Sequence, residues 1–207
     1  KKKELLVMTT KDSPKDRHLY AVNWENGKLR KITTDAGTHN VSVSSNGEYI
    51  VDNWSNDTTP RKIDVMDANG KFKKNLLTAQ NPLANYNSPK VENITLKADD
   101  GTDLYGKLIY PTDFDASKKY PVIVYLYNGP HAQLITNRFP ASGNLWYDHM
   151  AEKGYVVFTM DGRGSANRGL KFEQAIHGNV ATTEMNDQMK GVDYLKSLPF
   201  VDAERMG

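Results

Sequence analysis

The stretch KKYPVIVYLYNGPH, Lys118 to His131, decides how this chain folds. From Tyr120 to Tyr127 it is an unbroken apolar and aromatic run, and it stops at Asn128-Gly129-Pro130. Such a run, rich in β-branched residues and bounded by turn residues, predicts a buried strand of a parallel sheet. YVVFTMDGRGS, Tyr155 to Ser165, repeats the pattern. Open α/β sheets place their chemistry at the C-terminal ends of such strands, so the loops at Asn128 and Gly162 are where function is to be sought.

Around these two runs the pattern stays α/β. VENITLKA and TDLYGKLIYP flank Asp99-Asp100-Gly101 and predict an antiparallel hairpin. A helix is expected near Gly143 to Lys153, with Leu145, Trp146, His149 and Met150 on its buried face and Gly154 at its C-cap. A second is expected from about Glu184 to Ser197, capped by Thr183. Glu184 and Asp187 suit the positive end of its dipole, and Met185, Met189, Val192 and Leu195 are its expected buried stripe. Strands alternating with helices mean a parallel sheet with helical crossovers.

Toward the N-terminus the period changes from helical to twofold. ELLVMTT, HLYAVNW, VSVSS, EYIVDNW and KIDVMD read as short strands, and Asn26-Gly27, Asn46-Gly47 and Asn69-Gly70 are hairpin signals. YAVNWENGKLRK, from Tyr20, can be laid over IDVMDANGKFKK, from Ile63, at an offset of 43 residues. That spacing fits one four-stranded propeller blade. Two blades cannot close a ring, so residues 1–87 are expected to be the C-terminal blades of a longer β-propeller, a small β-sandwich or meander being the alternative. Residues 88–207 are expected to form the N-terminal part of an α/β domain, with Thr78 to Pro89 as linker.

Composition narrows the function classes. A net charge of +2 leaves no concentrated basic surface for nucleic acid. The absence of cysteine excludes thiolate catalysis and Cys-ligated zinc. No His/Asp/Glu cluster has metal-ligand spacing, so neither metal nor cofactor is expected. No apolar run approaches a membrane span, no signal peptide is read, and an opening Lys suggests a piece of a longer chain.

Taken together, KKYPVIVYLYNGP, DGRGS, the helix start EMNDQ and the closing FVDAERMG resemble the prolyl oligopeptidase family of serine peptidases, and within it the dipeptidyl peptidase IV branch. SPKDRHLYAVN and the THN-to-TTP segment extend the resemblance into the β-rich half. The resemblance implies a propeller running into an α/β-hydrolase domain. It also implies a Ser in a G-x-S-x-G elbow, followed in the chain by Asp and His. None of the 15 glycines is followed two residues later by Ser. The nucleophile is therefore expected about five residues beyond Gly207, with the Asp and His further on, so this stretch alone should be inactive.

One catalytic part is implied within the chain. Tyr127 matches the family's tyrosine whose hydroxyl meets the oxyanion; a core tyrosine with a satisfied hydroxyl is the plainer alternative. Nothing is assigned to Asn128. The implied parent is a periplasmic or secreted homodimeric exopeptidase releasing Xaa-Pro or Xaa-Ala dipeptides from peptides. Tripeptidyl or acylaminoacyl peptidases and esterases share the fold, and a non-catalytic propeller interaction module is the rival from another class.

Other groups read as structural. Asn167 stands where a phosphate-binding G-x-G-x-x-G needs its third Gly, so DGRGS is expected to be a turn, with Arg163 held by Asp161 or Asp187. His131 is expected to be a solvated loop residue. Asp99/Asp100 and Asp113/Asp115 suit turns, and Trp24, Trp54 and Trp146 are expected in the core.

Overall fold

The computed structural model describes residues 3–207. They divide into two compact units, residues up to Pro82 together with Thr136–Ala141, and Leu83–Ile135 together with Ser142–Gly207. The division thus falls earlier than the boundary at 87, and a six-residue segment from far along the chain belongs to the first unit.

That first unit is all β. β1 (Glu4–Thr9), β2 (His18–Asn23) and β3 (Leu29–Lys31) form a three-stranded antiparallel sheet. β4 (Thr38–Val43), β5 (Tyr49–Ser55), β6 (Lys62–Asp67) and β7 (Phe72–Thr78) form a four-stranded sheet in chain order, which is the blade pattern that the 43-residue repeat predicts. The repeat maps the β2–β3 hairpin onto the β6–β7 hairpin. The copies differ by a bulge: Val22 pairs with Leu29, whereas the register shift between Val65 and Met66 sets Phe72 opposite Met66. Leu19, Ala21, Ile32, Ile50 and Met66 make the core. Of the three tryptophans expected inside, only Trp54 is buried; Trp24 is 57% and Trp146 44% exposed.

Two polar knots hold this unit. His39 lies between Asp52 Oδ2 at 2.7 Å and the Asp35 carbonyl at 2.8 Å, stacked on Trp54. Asn137, from the distant segment, donates its backbone N–H to Lys15 O and its amide to Asp16, and accepts from Asp57 N and Thr38 Oγ1. Four hydrogen bonds from one residue explain why 136–141 belongs here.

The second unit is α/β. β8 (Val91–Lys97), β9 (Asp103–Ile109), β10 (Tyr120–Tyr125), β11 (Val156–Asp161) and β12 (Val201–Met206) form one sheet in the order β12-β10-β11-β9-β8. β10 is parallel to both β11 and β12, while β8 and β9 are antiparallel. Helix α1 (Leu145–Glu152) covers one face, α2 (Leu170–Glu173) is a single turn, and α3 (Thr183–Ser197) covers the other face. The alternation of β11 shows the two layers. Val157 packs with Tyr147 and Ala151 of α1, and Val156, Phe158 and Met160 pack with Leu195 of α3. All six residues of β11 are buried, as its unbroken run predicts. β10 is only half-buried, because its far neighbour β12 is an edge strand among the described residues.

Both helices are rotated from the faces expected, although Met150 of α1 and Leu195 of α3 pack on the sheet as expected. On α1, Tyr147 and Ala151 are buried and Leu145 is 56% exposed. Asn144 caps the helix, accepting from Trp146 N through its side chain. On α3 the buried set is Glu184, Asp187, Gln188, Gly191 and Leu195, while Met185 and Met189 are 54% and 45% exposed. The spacing i, i+3, i+4, i+7, i+11 is that of a helix face. Polar residues occupy it because each finds a partner on the loops above the sheet. Thr183 does not cap α3; the carboxylate of Glu184 accepts from Ala181 N instead.

Candidate active site

Three loops meet at the C-terminal ends of β10 and β11, all within the second unit. The first, residues 126–135, follows β10 and carries Tyr127. The second, Gly162–Gly169, follows β11. The third is the approach to α3. The second and third give the first its shape.

Asp161, the last residue of β11 and 4% exposed, accepts from Leu134 N at 2.8 Å and Ile135 N at 2.9 Å, pinning the return of the first loop. Burial pushes its carboxyl above the usual aspartate range, and those two N–H groups pull in the other direction. Ala166 N donates to Ala132 O, and Asn167 donates its amide to Gln133, so the first two loops are zipped together. Gly164 lies at φ +99°, and a Cβ there would come within 2.7 Å of Ile176; only glycine lets the second loop sit this low.

Arg163 is held as a fork. Its Nε and Nη2 reach both carboxylate oxygens of Asp187 at 2.7–3.2 Å, and its own backbone N–H donates to the same carboxylate. Nη1 reaches Asp100 at 2.9 Å. Of the two carboxylates expected for Arg163, Asp187 is the partner and Asp161 is not. Asp100, read as a turn residue, serves both the turn and the arginine. Thr102 hydrogen bonds and then Arg163 hold its carboxyl below the ordinary range.

Tyr127 is 64% exposed and makes no side-chain hydrogen bond among the described residues. It is therefore not a core tyrosine with a satisfied hydroxyl. Its neighbour Asn128 accepts from Gln188 Nε2 at 3.0 Å. The sequence pattern marks neither residue of that contact, because it sets the buried stripe of α3 at Met185 and Met189, which are exposed, rather than at Gln188. His131, at φ +64°, leaves its ring 93% exposed and donates its backbone N–H to Glu173. Among the described residues no group of three His, Asp or Glu could hold a metal, and no helix is long and apolar enough to cross a membrane.

Comparison with known proteins bears on this arrangement. The prolyl oligopeptidase family matches residues 145–207, and the N-terminal region of dipeptidyl peptidase IV matches residues 1–61. The structure of a putative dipeptidyl aminopeptidase IV from Bacteroides ovatus superposes with a TM-score of 0.90 at 43% identity, over 100% of this chain and 29% of that one. The chain belongs to the prolyl oligopeptidase family, in its dipeptidyl peptidase IV branch. Porphyromonas gingivalis dipeptidyl peptidase 4 superposes with a TM-score of 0.88 at 29% identity, over 99% of this chain and 29% of that one. Human dipeptidyl peptidase 8 is 33% identical over 96% of this chain, and dipeptidyl-aminopeptidase B of Aspergillus niger 30% identical over 96%. The chain spans 23% and 22% of the length of those two relatives. Within the family's architecture, the first unit is propeller blades and the second the opening strands and helices of the α/β domain.

Proposed function

We propose that this chain is part of a serine-type dipeptidyl peptidase that releases Xaa-Pro or Xaa-Ala dipeptides from peptide N-termini, with the Tyr127 hydroxyl donating to the oxyanion of the tetrahedral intermediate. One observation carries the reading. β12 and β10 are adjacent and parallel, with Val124 N donating to Gly207 O at 2.8 Å and Gly207 N to Val122 O at 3.1 Å. Neighbouring strands lie about 5 Å apart, so the backbone after β12 emerges beside the end of β10 that leads into Tyr127. In α/β-hydrolases a nucleophile elbow tops such a strand.

The chemistry follows from that placement. Attack on a peptide carbonyl moves negative charge onto its oxygen. A neutral phenol fixed in advance of the reaction stabilises that charge without reorganisation. The loop that carries Tyr127 is tied down at Asn128 and at residues 132–135, and the exposure of the phenol leaves its O–H open to substrate. Serine, general base and orienting carboxylate are assigned to the remainder of the enzyme. The names of the relatives support dipeptide release. We further propose a periplasmic or secreted homodimer.

The test is Tyr127→Phe in the intact enzyme, assayed on Gly-Pro-p-nitroanilide. The expected loss in kcat is ~100-fold or more, the usual effect of one lost oxyanion donor. A loss below about threefold removes Tyr127 from the mechanism. Equal cleavage of the N-acetylated substrate would refute dipeptide release from a free amine. Fractionation with cytoplasmic markers, or a monomer by light scattering, would overturn the compartment and the dimer respectively.

A further inference from the structure

The amide of Gln188 lies on the buried face of α3, 4% exposed, where a hydrophobic residue would ordinarily seal the helix against the sheet. It spends both N–H groups on oxygens. Nε2 donates to the carbonyl of Met160 in β11 at 3.0 Å and to Asn128 Oδ1 at 3.0 Å. A backbone carbonyl can only accept, so the first bond fixes which end of the Gln188 amide faces β11. The second bond then fixes the Asn128 amide with its oxygen inward. One rigid element, the buried strand β11, thus dictates the side-chain orientation of the residue directly after Tyr127.

The arrangement carries a cost of its own. Gln188 Oε1 is buried without a hydrogen-bond partner among the described residues, and a buried unsatisfied carbonyl is unfavourable. An apolar residue would avoid it. A polar residue at such a position, with both of its hydrogens donated, points to its donors as the useful part.

We infer that Gln188 is a positioning residue for the oxyanion arm: through Asn128 it holds the loop that presents Tyr127. This rests on the role proposed above for Tyr127. Gln188 touches no reacting atom, so its effect has to pass through the phenol. Without the tie, Tyr127 samples other positions. Substrate still binds, but the donor is misplaced when charge develops.

A double-mutant cycle in the intact enzyme tests this. Asn128→Ala removes only the loop end of the bridge and leaves the Gln188–Met160 bond in place. Gln188→Leu removes the whole bridge at similar volume. Each is measured alone and with Tyr127→Phe. The expected result for each single variant is a ~10-fold fall in kcat with KM changed less than about twofold, the pattern of an interaction that matters in the transition state. In the Tyr127→Phe background the same substitutions should change kcat by less than about twofold. If Gln188→Leu fails to fold, Asn128→Ala alone decides. Equal losses in both backgrounds, or no loss in either single variant, overturn the inference while leaving the role of Tyr127 intact. If Tyr127→Phe alone costs nothing, the oxyanion reading fails and this inference fails with it.

Discussion

Removing the Asp187 carboxylate should unfold the second unit well before it affects the first. Asp187 is 1% exposed in its side chain and Arg163 16%. Between them run a bidentate guanidinium–carboxylate contact and the backbone N–H of Arg163. Breaking a buried pair from one side costs about 3–5 kcal/mol, and an orphaned backbone N–H adds about 1–3 kcal/mol. Arg163 keeps Asp100, whose side chain is 54% exposed, and some access to water. Those remaining partners offset the orphaned N–H and place Asp187→Ala at the low end of the pair term alone, about 3 kcal/mol. With a urea m-value of about 2 kcal/mol/M, the midpoint should fall by about 1.5 M.

Among the described residues all three α-helices lie in the second unit, so the helical circular dichroism signal reports its unfolding selectively. Asp187→Asn keeps the shape and one acceptor but loses the charge, and should fall between Asp187→Ala and wild type. Asp100→Ala should leave the midpoint nearly unchanged, since exposed pairs contribute little. A midpoint for Asp187→Ala within about 0.3 M of wild type would refute the claim that this pair holds the second loop against α3. So would an effect of Asp100→Ala as large as that of Asp187→Ala.

Gly191 packs directly on the sheet, and a Cβ there would lie 2.7 Å from Phe158 Cε1. Gly191→Ala should therefore destabilise by about 1–3 kcal/mol despite its better helix propensity; a raised midpoint would refute the close approach. Burial pushes the Tyr147 phenol up from its ordinary 10 to about 12. The folded state then holds that proton more tightly than the unfolded chain. The resulting stability is fully present below pH 10 and is lost as pH rises through about 12. Tyr147→Phe should flatten the loss of stability over that interval in alkaline urea titrations, and an unchanged slope would contradict it.

Much of the architecture was legible because it rests on local chemistry. Asn-Gly pairs demand left-handed turns wherever they stand, and the run in β11 is apolar on both faces because both faces are covered. The 43-residue repeat survives as paired hairpins. Tyr127 was singled out only through the family resemblance; the residue pattern by itself favours a core tyrosine, which its exposure excludes. The rotation of α3 was not legible. Met185 and Met189 make as good an apolar stripe as any on that helix, and hydrophobic pattern alone prefers them to Glu184, Asp187 and Gln188.

By local pattern alone the sequence determined the change of period between the two halves, the Asn-Gly hairpins and the strands β10 and β11. Tertiary structure alone decided which carboxylate Arg163 grips, that Asp161 clasps a loop instead, that Asn137 returns to the propeller unit, and that Gln188 reaches Asn128. Partners 24 to 122 residues apart make those contacts. Their polar groups are tolerable in the interior only because such distant partners satisfy them, and a buried polar residue does not carry the address of its partner in its own neighbourhood.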